Sequence, residues 1–284
     1  MTLIETLKMY KLQLLATLVM IGAVYYGIFA FMVQQWYKDD NYSHGFIVPL
    51  IAGYFIYERR ETLKKLVVAP WCPGLLVIIL GLAQLILGYL ATEYFTMRSS
   101  MIVVLAGMVL FFFGKEIFKH TLLPISYLFL MVPIPYIVYD AVAFPLKLFV
   151  TKVSVGFLQL IGIVVLREGN IIMFPATVLE VADACSGIRS LLSLIALGVA
   201  YAVFVNTSNL KRWVIIFSAI PIAIFTNSLR VIVTGILAQH WGAKAAEGFF
   251  HEFAGLAVFV LAMAMLMAEG ALLKEKRGPK GGEK

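Results

Sequence analysis

Charged residues are scarce in this chain. Asp, Glu, Lys and Arg make up 14% of its 284 residues and hydrophobic residues 62%, against about 25% charged and 45–50% apolar in an ordinary soluble domain. That balance excludes a water-soluble globular fold and makes the bilayer the solvent for most of the chain. Cysteine is nearly absent: Cys72 and Cys185 are the only two, too few for a disulfide framework, so each is read singly. Histidine is limited to four residues with no His-x3-His pair, which argues against a zinc site; no metal or other cofactor is expected. Acidic residues number 16 against 23 basic, for a net charge of +7. The basic residues fall in short stretches between apolar runs and in the C-terminal tail, as in membrane proteins, so no nucleic-acid partner is expected.

What is abundant is long apolar sequence. Eight runs stand out, at 12–33, 45–57, 74–91, 100–114, 122–138, 187–205, 214–239 and 252–272. The first is about 22 residues long, enough at about 1.5 Å per residue to cross a hydrocarbon core of roughly 30 Å. It lacks a small-residue cleavage motif and reads as an uncleaved first transmembrane helix. The 45–57 run is short for a span and extends back toward Tyr42-Ser43-His44, while Pro133 and Pro135 distort or end the fifth run. Residues 141–166 carry Lys147 and Lys152 on one face of an amphipathic pattern, read as an interfacial or re-entrant helix with crossing as the alternative. The expectation is an all-α polytopic membrane protein with about eight transmembrane helices plus one interfacial or re-entrant helix. Its membrane domain covers 1–273, followed by a basic, disordered cytoplasmic tail at 274–284.

Positive charge orients the spans. With eight crossings and the N-terminus inside, the inner segments hold Lys8, Lys11, Arg59, Arg60, Lys64, Lys65, Lys115, Lys119, Lys211, Arg212, Lys274, Lys276, Arg277, Lys280 and Lys284, which is 15 of the 23 basic residues. Both termini are therefore expected in the cytoplasm of a multi-pass protein of the cell (inner) membrane. That orientation puts Cys185 at the outer end of the sixth span, Arg230 about 25 Å up the seventh from the cytoplasm, and His251 at the outer end of the eighth.

A thiol, a fixed cation and an imidazole at one face suggest acyl transfer by a cysteine nucleophile. Asp183, two residues before Cys185, is a candidate N-cap, and the first turn of a helix favours thiolate over thiol. Cys72, between Trp71 and Pro73, lacks such a setting and reads as structural. An Arg in an apolar helix usually faces a cavity or a partner; Arg230 either stabilises an oxyanion or snorkels to the interface. Arg189, one turn beyond Cys185, is its rival, and Asn227 lies one turn before Arg230. Of the histidines, His120 falls inside, while His44, His240 and His251 fall outside; spacing leaves the choice between His240 and His251 open.

At these residues the chain resembles the exosortase/archaeosortase family of multi-pass membrane cysteine transpeptidases. The resemblance rests on Ala184-Cys185-Ser186-Gly187-Ile188-Arg189-Ser190-Leu191, Asn227-Ser228-Leu229-Arg230-Val231 and His251-Glu252-Phe253-Ala254-Gly255. A fourth block is Tyr42-Ser43-His44-Gly45-Phe46-Ile47-Val48-Pro49-Leu50. It implies Cys185 as nucleophile, Arg230 as electrostatic stabiliser and His251 as acid/base. The implied partners are exported proteins with a C-terminal sorting signal (a Pro-Glu-Pro-like motif, a transmembrane helix and a basic cluster), cleaved through a thioester on Cys185. An unidentified acceptor nucleophile and the membrane lipids complete the set. The rival readings are a transporter using Arg230 and His251 along an ion path, and a non-catalytic subunit of an envelope polysaccharide export system.

Overall fold

The computed structural model describes residues 1–175, 177–181, 188–205, 207–242 and 249–274; side chains at 188, 189 and 249–252 lie outside the description. The chain divides into two compact units, Met1–Pro135 and Tyr136–Lys284.

In the first unit, α1 (Leu3–Met9) is opened by a capping box between Thr2 and Glu5 and leads into α2 (Lys11–Lys38), about 42 Å long. A 3-10 stretch, Asp40–Phe46, follows, with the Asp39 carboxylate accepting the Asn41 N–H at 3.0 Å. Next come α3 (Ile47–Glu58) and α4 (Arg60–Lys65). Helix α5 (Pro73–Leu90) starts on a proline, whose missing N–H costs nothing at that position. It pairs with α6 (Tyr94–Phe113) along a seam of buried glycines, Gly74, Gly81 and Gly88. A Cβ on Gly81 would sit 2.7 Å from Val104 Cγ2, and one on Gly88 would sit 2.9 Å from the Met97 backbone nitrogen. Backbones approach this closely only where side chains are absent. Helix α7 (Lys115–Tyr127) packs on α3 through Phe55 and Tyr127, with Arg59 Nη1 donating to the His120 carbonyl at 2.7 Å.

The second unit opens with α8 (Tyr136–Leu160) and a three-stranded antiparallel meander, β1 (Leu166–Glu168), β2 (Ile171–Met173) and β3 (Val178–Glu180), with β2 central. Glu168 pairs with Ile171, so β1 and β2 are joined by the two-residue turn Gly169-Asn170 with Gly169 at φ +60°, a conformation open to glycine without strain. Then come α9 (Ile188–Phe204), α10 (Asn209–Trp241) and α11 (Phe249–Leu273). Leu191, Leu194, Ala202, Ile215, Ala219, Ile222, Ala262 and Leu266 form the common core of these three helices. A second core joins the meander to α8 and α10 through Ile172, Phe174, Val181, Val150, Leu158, Val231 and Ile232.

The protein is polytopic and overwhelmingly helical, as expected, but the spans are distributed differently. Among the described residues, six helices are long and apolar enough to cross a membrane: α2, α5, α6, α8, α10 and, from Phe253 on, α11; a shorter apolar helix covers Ser190–Phe204. The 122–138 run is not one helix. It is shared between α7, a 3-10 turn at Leu128–Met131 and an extended stretch at the two prolines, because proline lacks the N–H that would continue the ladder. The same break frees residues 136 onward to start α8, whose 25 residues are long enough to cross. The stretch taken as interfacial or re-entrant is therefore a span-length helix. The 45–57 run yields the 12-residue α3, about 18 Å long.

Candidate active site

The start of α9, the Arg230 turn of α10 and the Gly255 turn of α11 lie at one level of the second unit. A Cβ on Gly198 of α9 would lie 3.7 Å from Leu266 of α11 and 3.9 Å from Ala219 of α10, so these three residues mark a common height. At about 1.5 Å per residue, the start of α9 at Ile188 is about 15 Å from that height, and Arg230 and Gly255 are each about 16 Å away. The link from α9 to α10 and the Thr207 hydroxyl bond to the Leu273 carbonyl (3.0 Å) lie toward the opposite end. The ends bearing the Ile188-Arg189 start of α9, Arg230 and the His251 block are therefore the same end.

Arg230 sits in a buried polar stretch of α10: Thr226, Asn227, Ser228 and Arg230 are all buried, with Asn227 only 1% exposed and Arg230 8%. The hydroxyls of Thr226 and Ser228 turn back onto the Ile222 and Ile224 carbonyls at 2.9 and 2.8 Å, consuming their own polarity within the helix. Ser154 of α8 donates to the Ser228 carbonyl at 3.2 Å, tying α8 to this turn. The Arg230 guanidinium lies flat enough against α11 that a Cβ on Gly255 would be 3.4 Å from Nη2 and 3.6 Å from Cζ. Gly255 is four residues after His251 on the same helix, hence on the same face one turn away. The cation and the helical turn after His251 are thus brought together.

The other sequence-derived candidates fall as follows. Cys185 and Asp183 lie outside the described residues, as do the side chains of Arg189, the second residue of α9, and His251, the third of α11. Asn227 is three residues before Arg230 and shares its face. His240 is exposed near the end of α10, ten residues and about 15 Å along the axis from Arg230, with its ring edge-on to Trp241. His44 belongs to the first unit. Its Nε2 donates to the Leu130 carbonyl at 3.1 Å, while Tyr42 reaches the Ile134 carbonyl at 3.4 Å and Trp36 Nε1 the Met131 carbonyl at 2.9 Å. A Cβ on Gly45 would collide with the Trp36 indole. The Tyr42–Gly45 block is a clasp on the 128–134 segment, and burial holds the His44 imidazole below its ordinary pKa.

Sequence reasoning missed the meander that precedes Cys185. Its signal was present in the Gly169-Asn170 pair between Val164-Val165 and Ile171-Ile172, a turn dipeptide flanked by β-branched residues. Among the described residues, no group of three or more His, Cys, Asp or Glu side chains is placed to hold a metal ion.

The family model described as Transmembrane exosortase (Exosortase_EpsH) matches residues 36–268, most of the chain and all four of the sequence blocks above. The chain belongs to the transmembrane exosortase family. No curated protein and no solved structure matches it. As an exosortase it is a multi-pass membrane protein with the general role of a membrane transpeptidase acting on exported proteins that carry sorting signals.

Proposed function

We propose that this exosortase cleaves C-terminal sorting signals (a Pro-Glu-Pro-like motif, a transmembrane helix and a basic cluster) through a thioester on Cys185. The observation that supports it most is the contact of the Arg230 guanidinium with Gly255, one turn after His251, at the bundle end where α9 begins. Covalent reach agrees: Cys185 is three residues from Ile188, so the two Cα atoms are at most about 11 Å apart.

In the proposed cycle the resting pair is a Cys185 thiolate and a His251 imidazolium. The sulfur attacks the scissile carbonyl carbon, and the electron pair displaced onto oxygen is held by the Arg230 guanidinium. Collapse breaks the C–N bond, with His251 giving its proton to the departing amine. An acceptor amine, or water, then attacks the thioester and returns a proton to His251, and the C–S bond breaks to restore the thiolate. Asn227 lies one turn before Arg230 on the same face of α10 and, like it, is buried. Arg189 is the alternative source of positive charge, and His240 and His44 are less suited, one exposed along α10 and the other committed to the Leu130 carbonyl. The site faces outward from the cell (inner) membrane, with 1–273 as the membrane domain, the 274–284 tail inside, and the substrate's own transmembrane helix docked in lipid beside the bundle.

The test is Cys185→Ala in cells making a reporter with a sorting signal. The reporter should accumulate uncleaved while the variant reaches the membrane at parental levels; undiminished cleavage would overturn the proposal.

A further inference from the structure

In the strand order β1-β2-β3, β3 is an edge. The Phe174 N–H donates to the Thr177 carbonyl at 2.8 Å and the Val181 N–H to the Asn170 carbonyl at 2.9 Å. Between these two rungs Leu179 lies opposite Ile172. The bonded side alternates along a strand, so the backbone groups of Thr177, Leu179 and Val181 turn toward β2. Those of Val178 and Glu180 turn to the open side, where no strand among the described residues pairs with them. Both residues are exposed, Val178 by 61%. The β1 edge differs, because Gln159 of α8 donates to its Val165 carbonyl at 3.0 Å. The open edge is also held firmly. Asn170 Nδ2 donates to the Val181 carbonyl at 3.2 Å, Phe174 packs over Gly235 of α10, and Leu179 packs into the core that holds Val181 and Val231. Val231 is the neighbour of Arg230, so the end of the edge lies by the Arg230 turn of α10.

We infer that the open edge of β3 docks the sorting signal as an added strand, through the N–H and C=O groups of Val178 and Glu180; the identity of this occupant rests on the substrate proposed above. An extended peptide joins a sheet edge by main-chain hydrogen bonds from alternate residues. The two prolines of a Pro-Glu-Pro motif are two positions apart, so both nitrogens turn away from the edge together. The Glu between them keeps its N–H and C=O for β3. Proline is tolerated in a strand only in such a position, and each proline holds the residue before it extended. Leu166, Met173 and Val178 form one row across the exposed face of the sheet, and Glu168, Ile171 and Glu180 the next. The motif's Glu pairs with Val178, since opposite Glu180 two carboxylates would face each other.

The experiment measures binding of a fluorescent synthetic peptide, carrying the Pro-Glu-Pro motif without a transmembrane helix, to the full-length protein in detergent. N-methylation of the motif's Glu removes the N–H that donates to the Val178 carbonyl and should weaken binding by about fivefold or more, the weight of one hydrogen bond. Val178→Pro removes the donor on the protein side. The ladder to β2 survives, because the Val178 N–H is not part of it, and binding should weaken by a similar factor. Val178→Thr keeps the donor and should bind like the parent. If the proline variant does not fold, the two peptides compared on the parental protein still decide. Equal binding of the two peptides, no binding by the parental protein, or equal binding by folded Val178→Pro and Val178→Thr would overturn the inference. So would a dimer that Val178→Pro dissociates in light scattering, which would assign the edge to a second copy of this chain. Failure of the catalytic reading is seen separately, as reporter cleavage by Cys185→Ala, and does not touch the binding result.

Discussion

At Arg230 the absence of a side chain across the helix interface is what matters. Gly255 leaves the guanidinium room to lie against α11, with 3.4 Å between the position of a first carbon and Nη2. That spacing is ordinary van der Waals contact, so Gly255→Ala should keep processing within about threefold of the parent. On the proposed role of Arg230, Gly255→Leu should displace the guanidinium and cut processing roughly a hundredfold, the order expected when a reacting or stabilising group moves by about 1 Å; reporter cleavage measured with the two variants side by side checks the contrast. His44 makes a different prediction. Its lowered folded pKa means the unfolded chain takes up a proton first as pH falls below about 6.5. Stability should be constant above about pH 6.5 and drop as pH falls from there through the folded pKa. His44→Gln keeps a donor for the Leu130 carbonyl without titrating, and its thermal midpoint should lose that dependence.

Among the elements, the α5–α6 pair shows how helices associate where lipid is as apolar as the side chains. Its glycine seam supplies close backbone contact in place of a hydrophobic driving force. Gly81→Leu would force its side chain into Val104 and should lower the thermal midpoint in detergent, whereas substitution at Gly53, with open space around it, should not. The link between the two helices is closed by Glu93, whose carboxylate accepts from the Phe95 and Thr96 amides at 3.1 and 2.6 Å. Burial pushes that carboxyl up, but the bonds from Thr96 and Phe95 outweigh it and leave it below its ordinary value. Glu93→Ala should therefore cost about 1 kcal/mol of stability at neutral pH, a difference that fades as acid protonates the parent's carboxylate.

For the whole molecule, the decisive quantity is helix length against membrane thickness. The 33 residues of α10 measure about 50 Å, well beyond a hydrocarbon core of roughly 30 Å. Its last turns carry the surface on which the meander is built, through Val231, Ile232 and Ile236. A small sheet has its backbone bonds satisfied only within its own strands and needs water or protein at its edges, so it marks the end of α10 as the solvent-facing end of the second unit. The proposed orientation then predicts that a membrane-impermeant maleimide added to intact cells labels Cys185 and spares Cys72 until the membrane is opened. Labelling of Cys72 alone would reverse the topology.

Much of this protein was readable without coordinates, because the bilayer imposes one simple demand, long apolar helices, and composition answers it directly. The four sequence blocks around His44, Cys185, Arg230 and His251 were also visible, and the family match spans all of them. Where the spans break was harder: Pro133 and Pro135 were seen, but the transfer of residues 136–160 to one long helix depends on which side of the break packs. The grip of Asn170 on Val181, the close approach of Arg230 to Gly255 and the clasp of His44 on Leu130 join residues 11, 25 and 86 positions apart. Periodicity reports only neighbours within a turn or a strand, so contacts across such separations are decided by the tertiary structure.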